Sequence, residues 1–396
     1  MSTTGLKVQH PVDSPRTLKT SRSRFFLNEL SGSMGDLGTF LPLAAAMAVA
    51  NRMDLGVIFL FAGLMNIATG FLFRQPIPVQ PMKAIAAVAI TEGLNTGEIA
   101  AAGIAMGLIV TMLAATGAIT WIDRRVPRPV VRAIQVGVGA KLILKAVEWV
   151  IPLPMFGIDS VFVAAGMLLF IILLARRMPG IALIAFLLGL IGVWMSESFA
   201  PIAVRFGFPP LHLIVPTTHD WSTGITRGAL PQLPLTLLNS VIAICALSSD
   251  LFPGRGVHPR RMAMSVGLMN LLCVPFGAMP MCHGSGGLAA QYRFGARTGI
   301  SVIMLGLVKI VLAIVLGVAI LPIIESYPHS ILAAMILLAG WTLMKPASDS
   351  FYSVKSAMVV IVSSVLIVFV GTLEGFLVGC ALWLLIPTPH PVERVK

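Results

Sequence analysis

Two short segments within the apolar sequence carry polar residues of the types that could bind an anion. Each opens with proline, at 78–81 and at 280, and each is too short to cross a bilayer as a complete helix. A helix that starts in mid-membrane leaves its first N–H groups unpaired at the positive end of its dipole. Two such starts facing each other would form an anion site built largely from backbone donors. The residues predicted to share this site are Gln80, Pro81, Met82, Lys83, Cys282, His283, Gly284 and Ser285.

Lys83 and His283 are ionisable members of this predicted site. A lysine within an apolar segment is costly unless it faces a partner or a cavity. Lys83 therefore either attracts an anionic substrate or pairs with a carboxylate such as Asp36. His283 either donates to an oxyanion, titrates with coupled protons, or has a purely structural role. The sequence leaves these alternatives open.

Further polar residues inside apolar runs extend the predicted site. Close packing explains the glycines of the stretch 31–39 but not the carboxylate within it, and the eighth run places three polar residues roughly on one helix face. The additional predicted substrate-binding residues are Ser31, Asp36, Thr39, Gln232, Asn239 and Ser240. Lys309 lies in mid-span and needs a buried counter-charge. Asp36 or Asp250 could supply it as part of a structural or coupling pair.

Catalytic and cofactor chemistry has little support in the sequence. There is no HExxH, P-loop or GxSxG motif, and His283 beside Ser285 has no evident third group to orient it. The adjacent Cys282 and His283 have no further ligands at zinc-site spacing. The four cysteines lie in or beside apolar runs without a pairable loop spacing. We therefore predict no enzyme activity, no metal and no cofactor.

The composition indicates that a membrane must surround the elements that position these residues. Of 396 residues, 57% are hydrophobic and only 11% are charged, whereas soluble domains carry about 25% charged residues. The formal net charge of +12 comes from basic residues that punctuate apolar runs, unlike the clustered basic face of a nucleic-acid-binding protein. Because the apolar runs are long and continuous, we predict an all-α polytopic membrane protein rather than a β-barrel.

Gly, Pro and charge clusters divide the sequence into fourteen predicted transmembrane segments. They are approximately 25–50, 54–73, 77–92, 98–122, 130–151, 160–176, 180–196, 229–251, 260–277, 279–292, 299–322, 326–344, 354–371 and 373–387. With both termini cytoplasmic, almost all loop Lys and Arg residues fall on the cytoplasmic side, as the positive-inside rule requires. No cleavable signal sequence is evident before the first segment. We thus predict a multi-pass protein of the cell (inner) membrane.

Two copies of one pattern indicate an internal repeat. The sequence GLMN at 63–66 recurs at 267–270, and each copy precedes one of the short proline-opened segments. Each half contains an odd number of segments, so the two halves must be inverted in the membrane. Inverted repeats with interrupted helices at matching places are the sequence sign of a secondary transporter's binding site. We predict a 7+7 inverted repeat with half-helices in segments 3 and 10.

Three stretches resemble signatures of the molybdate transporter family, which is related to the sulfate permeases. They are residues 29–42 (ELSGSMGDLGTFLP), 78–86 (PVQPMKAIA) and 281–295 (MCHGSGGLAAQYRFG), supported by 232–240 (QLPLTLLNS) and 249–253 (SDLFP). The resemblance covers residues 25–387 and implies the inverted-repeat fold of the uracil permeases, with substrate between segments 3 and 10. It also implies a homodimer formed through a gate domain. Because the sequence ends soon after Pro387, we expect no STAS domain of the kind found in sulfate permeases.

The resemblance further implies a core domain and a gate domain, each assembled from both halves of the chain. The predicted divisions are a cytoplasmic basic tail (1–24), the core (25–122 and 229–322), the gate (123–196 and 323–387), an extracytoplasmic connector (197–228) and a cytoplasmic tail (388–396). Transport would then occur by movement of the core against the gate.

Together these patterns predict a secondary active transporter that imports molybdate, with protons as the expected coupling ion. Sulfate or another tetrahedral oxyanion is the alternative substrate, because size and charge are too similar to separate by sequence. An anion channel or a non-transporting anion sensor is the alternative from a different class. The expected partners are the oxyanion, protons, the lipid bilayer and a second copy of the chain, with no nucleic acid.

Overall fold

The computed structural model describes residues 22–119, 127–175, 177–178, 181–195, 207–316, 326–351 and 353–386. Most of the predicted N-terminal tail (1–21), the first part of the connector (197–206) and the C-terminal tail (388–396) lie outside the described residues. The described chain is mostly helical, with one pair of short strands.

Eight helices form the described part of the first half of the chain. They are α1 (Arg22–Ser33), α2 (Leu37–Asn51), α3 (Leu55–Phe73), α4 (Lys83–Glu92), α5 (Thr96–Thr116), α6 (Arg128–Val150), α7 (Val161–Leu174) and α8 (Ile181–Met195). A 3-10 turn, Met34–Asp36, joins α1 and α2 into one apolar segment. The strand β1 (Val79–Pro81) lies just before α4.

Seven helices form the described part of the second half. They are α9 (Thr218–Leu251), α10 (Pro259–Cys273), α11 (Ser285–Arg293), α12 (Ile300–Leu316), α13 (His329–Met344), α14 (Val354–Phe369) and α15 (Thr372–Leu385). The strand β2 (Met281–His283) lies just before α11, and a 3-10 turn, Lys345–Ser350, follows α13. With α1 and α2 taken together, one helix lies in each of the fourteen predicted segments.

Helix length and apolar composition identify five of these as candidate membrane spans. They are Arg24–Asn51, Leu55–Phe73, Thr96–Thr116, Thr218–Leu251 and His329–Ser350. The helices α7, α8, α12, α14 and α15 are apolar but shorter. The chain therefore has the helices of a multi-pass membrane protein, and five of those in the described residues are long and apolar enough to cross a membrane.

The helix α9 corrects the predicted connector, because it begins inside the range 197–228. Thr217 and Asp220 form a capping box that starts the helix at Thr218, within a polar stretch that hydropathy assigns to a loop. Pro231 and Pro234 then lie within the helix, and π-helical turns precede the first and follow the second, at Gly224–Ala229 and Thr236–Ile242. Each proline removes a backbone donor from the helical ladder, and wider turns are a common accommodation of such a disruption.

The two strands pair in antiparallel fashion between α4 and α11. Val79 lies opposite His283, Gln80 opposite Cys282 and Pro81 opposite Met281. Because the strands run in opposite directions, α4 and α11 leave the pair from opposite ends. The strand ends that lead into the two helices are only about 7 Å apart along the pair. Two helix starts are thereby held next to each other in the interior of the protein.

Close glycine contacts bring pairs of long helices together around this centre. Where α3 crosses α12, a Cβ atom on Gly63 would lie 2.7 Å from the carbonyl oxygen of Gly306. Where α10 crosses α5, a Cβ atom on Gly267 would lie 3.0 Å from the carbonyl oxygen of Gly107. Real side chains do not fit at such distances, so these crossings depend on small residues, as helix packing in membranes commonly does.

Candidate anion site

A cavity of about 170 Å³ lies where the starts of α4 and α11 approach α6, α9 and α13. A single bound water needs far less room, about 10–15 Å³, so the cavity accommodates a polyatomic ion together with water. Its described lining residues are Gln80, Lys83, Gln135, Gln232, Leu235, Asn239, Ser240, Cys282, His283, Gly284, Ser285, Gly286, Thr342, Leu343 and Pro346.

Most of the residues predicted from the sequence to share a site do line this cavity. Pro81 and Met82 are buried beside it instead: Pro81 pairs with Met281 in the strands, and Met82 precedes α4. Ser31 is half-buried on α1 and is not among the lining residues. Thr39 lines a separate cavity that also borders α7, α8 and α13. These four residues therefore have no place on the wall of the cavity.

The start of α4 is already occupied by a side chain of the protein. Gln232 Oε1 accepts hydrogen bonds from the backbone N–H groups of Ala84, at 2.8 Å, and Ile85, at 3.3 Å. Gln232 Nε2 donates to Thr236 Oγ1 at 2.9 Å, which fixes the orientation of the amide. The expectation of two equivalent donor-rich helix starts is therefore wrong, because the amide oxygen of Gln232 takes the position that an anion would need at α4.

The start of α11, by contrast, carries no cap. Gly284 has no side chain to cap it, and within the described chain the N–H groups of Ser285, Gly286 and Gly287 have no acceptor. A Cβ atom on Gly286 would meet nothing within 4 Å, so a ligand has room to approach the backbone there. Free N–H groups at the positive end of a helix favour a bound anion.

Lys83 is the only lysine or arginine among the described lining residues. It is the first residue of α4 and is partly buried. The suggested ion pair of Lys83 with Asp36 is absent from the salt bridges formed by the described residues. Its charge is therefore not neutralised by a contacting carboxylate, which leaves it available to a negative ligand.

Asp36 lies behind Gln80 rather than on the cavity wall. Gln80 Nε2 donates to Asp36 Oδ1, and Asp36 Oδ2 has no hydrogen-bond partner among the described residues. Lys309 Nζ lies 3.4 Å from the centre of the Phe40 ring, and Asp250 is exposed at the end of α9. Among the described residues Lys309 forms no salt bridge with Asp36 or Asp250, and its ammonium group makes a cation–π contact with Phe40. The expectation that Asp36 or Asp250 supplies its counter-charge stays a prediction.

His283 lines the cavity, but both of its ring nitrogens are engaged elsewhere. Nδ1 lies 3.1 Å from the carbonyl oxygen of Pro78, and Nε2 lies 3.0 Å from Ser265 Oγ. A carbonyl oxygen only accepts, so Nδ1 carries the proton and Nε2 of the neutral ring accepts from the serine. Of the alternatives for His283, this geometry favours the structural role and leaves no nitrogen free to donate to an anion.

Several lining residues were missed by the sequence analysis. They are Gln135 on α6, Leu235 on α9, Thr342 and Leu343 at the end of α13, and Pro346 in the 3-10 turn that follows it. Gln135 carried a usable signal, because it is a polar residue in the middle of an apolar run. The others have no sequence signal, since apolar and small residues are common in every membrane helix.

Two asparagines from the repeated GLMN pattern hold the two strands in place. Val79 N donates to Asn66 Oδ1 at 2.8 Å, and Met281 N donates to Asn270 Oδ1 at 2.8 Å. Asn270 Nδ2 also donates to the carbonyl oxygen of Met281 at 2.6 Å. Val79 and Met281 each follow the proline that opens their segment, so the two asparagines make equivalent contacts in the two halves.

Replacing Asn270 by alanine is expected to destabilise the protein more than replacing Asn66 by alanine. Asn270→Ala leaves two buried backbone groups of Met281 without partners, at about 1–3 kcal/mol each. Asn66→Ala breaks one such bond and also removes an amide nitrogen that has no partner among the described residues. Thermal unfolding of the two purified variants in one detergent measures the difference, and equal losses of stability would contradict this account.

A polar cluster away from the cavity contains potential metal ligands. Oxygen and nitrogen atoms of Glu98, His219 and Asp220 lie within 4.8 Å of one another. Glu98 already accepts from Asn95 N at 2.9 Å, and Asp220 accepts from Thr217 N at 2.8 Å. Both carboxylates complete capping boxes, so the cluster is explained by helix capping and we assign no metal to it.

Comparison with known proteins identifies the family. The family model described as "Molybdate transporter of MFS superfamily" matches residues 28–142 and 224–343. The chain is 37% identical over 405 residues to Molybdate transporter 2 of Arabidopsis thaliana, covering 91% of this chain and 87% of that protein. It is 35% identical over 404 residues to Molybdate transporter 1 of the same plant, covering 90% of this chain and 88% of that protein.

Solved structures show the type of fold. The structure of SLC26A9 superposes with a TM-score of 0.69 at 15% identity, covering 93% of this chain and 66% of that chain. The transmembrane domain of the cyanobacterial bicarbonate transporter BicA superposes with a TM-score of 0.63 at 17% identity, covering 90% of this chain and 97% of that chain. The overall fold of the chain is therefore similar to that of these membrane proteins. The family predicted from the motifs is confirmed by the extent of the sequence matches: the chain belongs to the molybdate transporter family.

Proposed function

We propose that this chain is a secondary transporter that carries molybdate into the cell and binds it in the cavity between α4 and α11. The observation that carries the proposal is that the uncapped start of α11 and Lys83 line one cavity. Helix-terminal N–H groups and one cation suit a small dianion, because burying two negative charges requires donors or pairing. The names of the relatives, both molybdate transporters, indicate which oxyanion to test first.

We infer that the fold is a 7+7 inverted repeat and that α4 and α11 are its half-helices. The equivalent bonds of Asn66 and Asn270 to the two strands support this inference. The helix crossings support it as well, because segment 2 packs on segment 11 and segment 9 packs on segment 4. Segments 2 and 9 hold the same place in their halves, as do segments 4 and 11. A pseudo-two-fold axis through the strand pair would therefore convert one of these contacts into the other.

The core and gate divisions remain our proposal, with α9 wholly in the core. The core is then 25–122 and 218–322, and the gate is 123–196 and 323–387. With these divisions the cavity would lie between core and gate, because Lys83 and Ser285 fall in the proposed core while Gln135 and Thr342 fall in the proposed gate. Sliding of the core along the gate would expose this cavity alternately to the two sides of the membrane.

If the core moves against the gate, the ion pair Glu92–Lys141 must break during transport. Lys141 Nζ lies 2.6 Å from Glu92 Oε1. Within the described chain, this pair is the only salt bridge that joins the two proposed domains. By the predicted topology this pair is at the extracytoplasmic end. Glu92→Gln is expected to raise the fraction of molecules whose cavity is open to the extracytoplasmic side about fivefold. A partly exposed ion pair contributes about 1 kcal/mol to the stability of the state in which it forms.

Thiol labelling of Cys282, which lines the cavity, measures this shift. A membrane-impermeant reagent is added outside to chains in which Cys245, Cys273 and Cys380 are replaced by alanine. The matched control is Lys145→Gln, which breaks an ion pair within α6 and should leave the labelling rate unchanged. An equal rate for Glu92→Gln and the control would argue against the proposed movement.

We further propose that protons drive import. No nucleotide-binding motif is present in the sequence. Moving a dianion inward against a potential of 100 mV costs about 5 kcal/mol, so a coupled cation is needed. We also propose that both termini are cytoplasmic in the cell (inner) membrane and that two copies associate through the gate. The placement of loop Lys and Arg residues supports this orientation of the termini.

Uptake by purified protein in liposomes tests the substrate and the class of protein together. Labelled molybdate is offered with an excess of unlabelled molybdate, tungstate, sulfate or uracil, with and without an inward proton gradient. Saturable uptake that molybdate and tungstate suppress, and that the proton gradient stimulates, is the expected result. Suppression by sulfate at equal concentration would favour the broader oxyanion carrier. Flux that never saturates would favour a channel, and binding without flux a sensor.

A further inference from the structure

One polar side chain reaches the cavity from the part of its wall that neither helix start forms. That wall is formed by α6, α13 and the 3-10 turn after α13, and its described lining residues are Gln135, Thr342, Leu343 and Pro346. Thr342 Oγ1 donates its one proton to the carbonyl oxygen of Ala339 at 2.9 Å. The amide of Gln135 is therefore the remaining side-chain donor on this wall within the described chain.

The orientation of this amide is fixed by an arginine one turn earlier on α6. Arg132 Nη1 donates to Gln135 Oε1 at 3.0 Å. A guanidinium group only donates, so the oxygen of the amide must face Arg132 and its nitrogen must face away. The bond leaves Gln135 Nε2 with two protons and no acceptor among the described residues, although the residue is only 3% exposed.

Arg132 is itself held by a carboxylate from the 3-10 turn that follows α13. Its Nε and Nη2 donate to the two oxygens of Asp349, at 3.1 Å and 2.6 Å. Two parallel bonds of this kind restrict the guanidinium to one plane and one direction. A chain of contacts from Asp349 through Arg132 to Gln135 therefore holds one N–H donor ready at the cavity.

We propose that Gln135 binds the transported oxyanion by donating from Nε2 to one of its oxygens, and that Arg132 is the positioning residue for this bond. The inference rests on the proposed function of the cavity. Lys83 and the start of α11 would hold the anion from one wall, and Gln135 would hold it from the other. A tetrahedral oxyanion suits this arrangement, because its oxygens point in four directions and all of them accept.

Substitutions at position 135 test the donor directly. Gln135→Glu keeps the shape of the side chain but replaces the N–H donor by a carboxylate oxygen, and Gln135→Ala removes the group. Loss of one hydrogen bond to a charged ligand corresponds to about tenfold to hundredfold weaker binding. We expect Gln135→Ala to raise the half-saturating molybdate concentration by that factor with little change in maximal rate. Gln135→Glu should raise it further, because the carboxylate repels the anion.

A double-mutant cycle tests the positioning role of Arg132. Arg132→Gln should weaken molybdate binding severalfold in the wild-type background and have no further effect in the Gln135→Ala background, because its action passes through Gln135. Arg128→Gln is the matched control, since Arg128 lies on the same helix and makes no hydrogen bond to Gln135 among the described residues. An equal effect of Arg132→Gln in both backgrounds would show attraction by its charge alone and would overturn the positioning role.

The same liposome assay separates failure of this inference from failure of the proposed substrate. Each variant is first checked for a single peak in size-exclusion chromatography. Uptake by all variants is then measured with the oxyanion, among molybdate, tungstate and sulfate, that wild type takes up in a saturable manner. If Gln135→Glu and Gln135→Ala both keep the wild-type half-saturating concentration, the inference is wrong while the transport function stands. If wild type takes up only sulfate, the molybdate assignment is wrong and the Gln135 comparison is decided with sulfate. If no oxyanion is bound, both proposals are wrong.

Discussion

Lys83→Ala is expected to weaken molybdate binding by about one to two orders of magnitude. Lys83 is the only lysine or arginine among the described residues that line the cavity, and its charge is not paired with a carboxylate there. A charged hydrogen bond is worth about 1.5–3 kcal/mol, and about 1.4 kcal/mol corresponds to a factor of ten. The concentration dependence of uptake in liposomes, together with calorimetric binding, measures the loss.

Two further variants show whether the charge itself is responsible. Lys83→Arg keeps the positive charge and is expected to bind molybdate more tightly than Lys83→Ala. Ser285→Ala keeps Lys83 but removes a hydroxyl group at the start of α11, and we expect a loss of about tenfold, as for one hydrogen bond to a charged ligand. If Lys83→Ala and Ser285→Ala, both folded normally, transport molybdate with unchanged concentration dependence, the start of α11 is not the binding site.

Gly287→Ala is expected to lower uptake by about tenfold to hundredfold. A Cβ atom at this position would lie 2.5 Å from Gln80 Nε2, 2.6 Å from Pro78 Cγ and 2.7 Å from Asp36 Oδ1. Gln80, Pro78 and Asp36 are all buried, so an added methyl group must displace Gln80 from the wall of the cavity. Overpacking of this kind costs about 1–3 kcal/mol of stability, and the displaced Gln80 would lose its bond to Asp36.

A glycine with open space around it provides the control for this prediction. Gly38 lies on α2, and a Cβ atom there would meet nothing within 4 Å. Gly38→Ala should therefore keep both uptake and melting temperature close to those of wild type, since alanine is also the better helix former. Uptake and thermal unfolding of the two variants are compared in one preparation. Normal uptake by Gly287→Ala would show that the contact of Gln80 with Asp36 is dispensable.

Local properties of the sequence determined the membrane class, the fourteen helical segments and the candidate site. Hydropathy, proline and glycine act within a few residues, so each run and each short proline-opened segment could be identified without knowing its neighbours. The same locality explains the error at α9, where the capping box of Thr217 and Asp220 extends a helix through a polar stretch. The GLMN pattern indicated a repeat, although its sequence could not show that the asparagines hold the strands.

Only the tertiary structure decided which polar groups in the site have partners. Gln232 caps the start of α4 across 148 residues of sequence, and His283 reaches the carbonyl oxygen of Pro78 across 205 residues. Lys309 contacts the Phe40 ring rather than a carboxylate. A hydrogen bond depends on positions within a few tenths of an ångström, and those positions are set where helices distant in sequence pack together. The polar residues could therefore be identified from the sequence, and the packing of the helices determined which of them are left free to bind an anion.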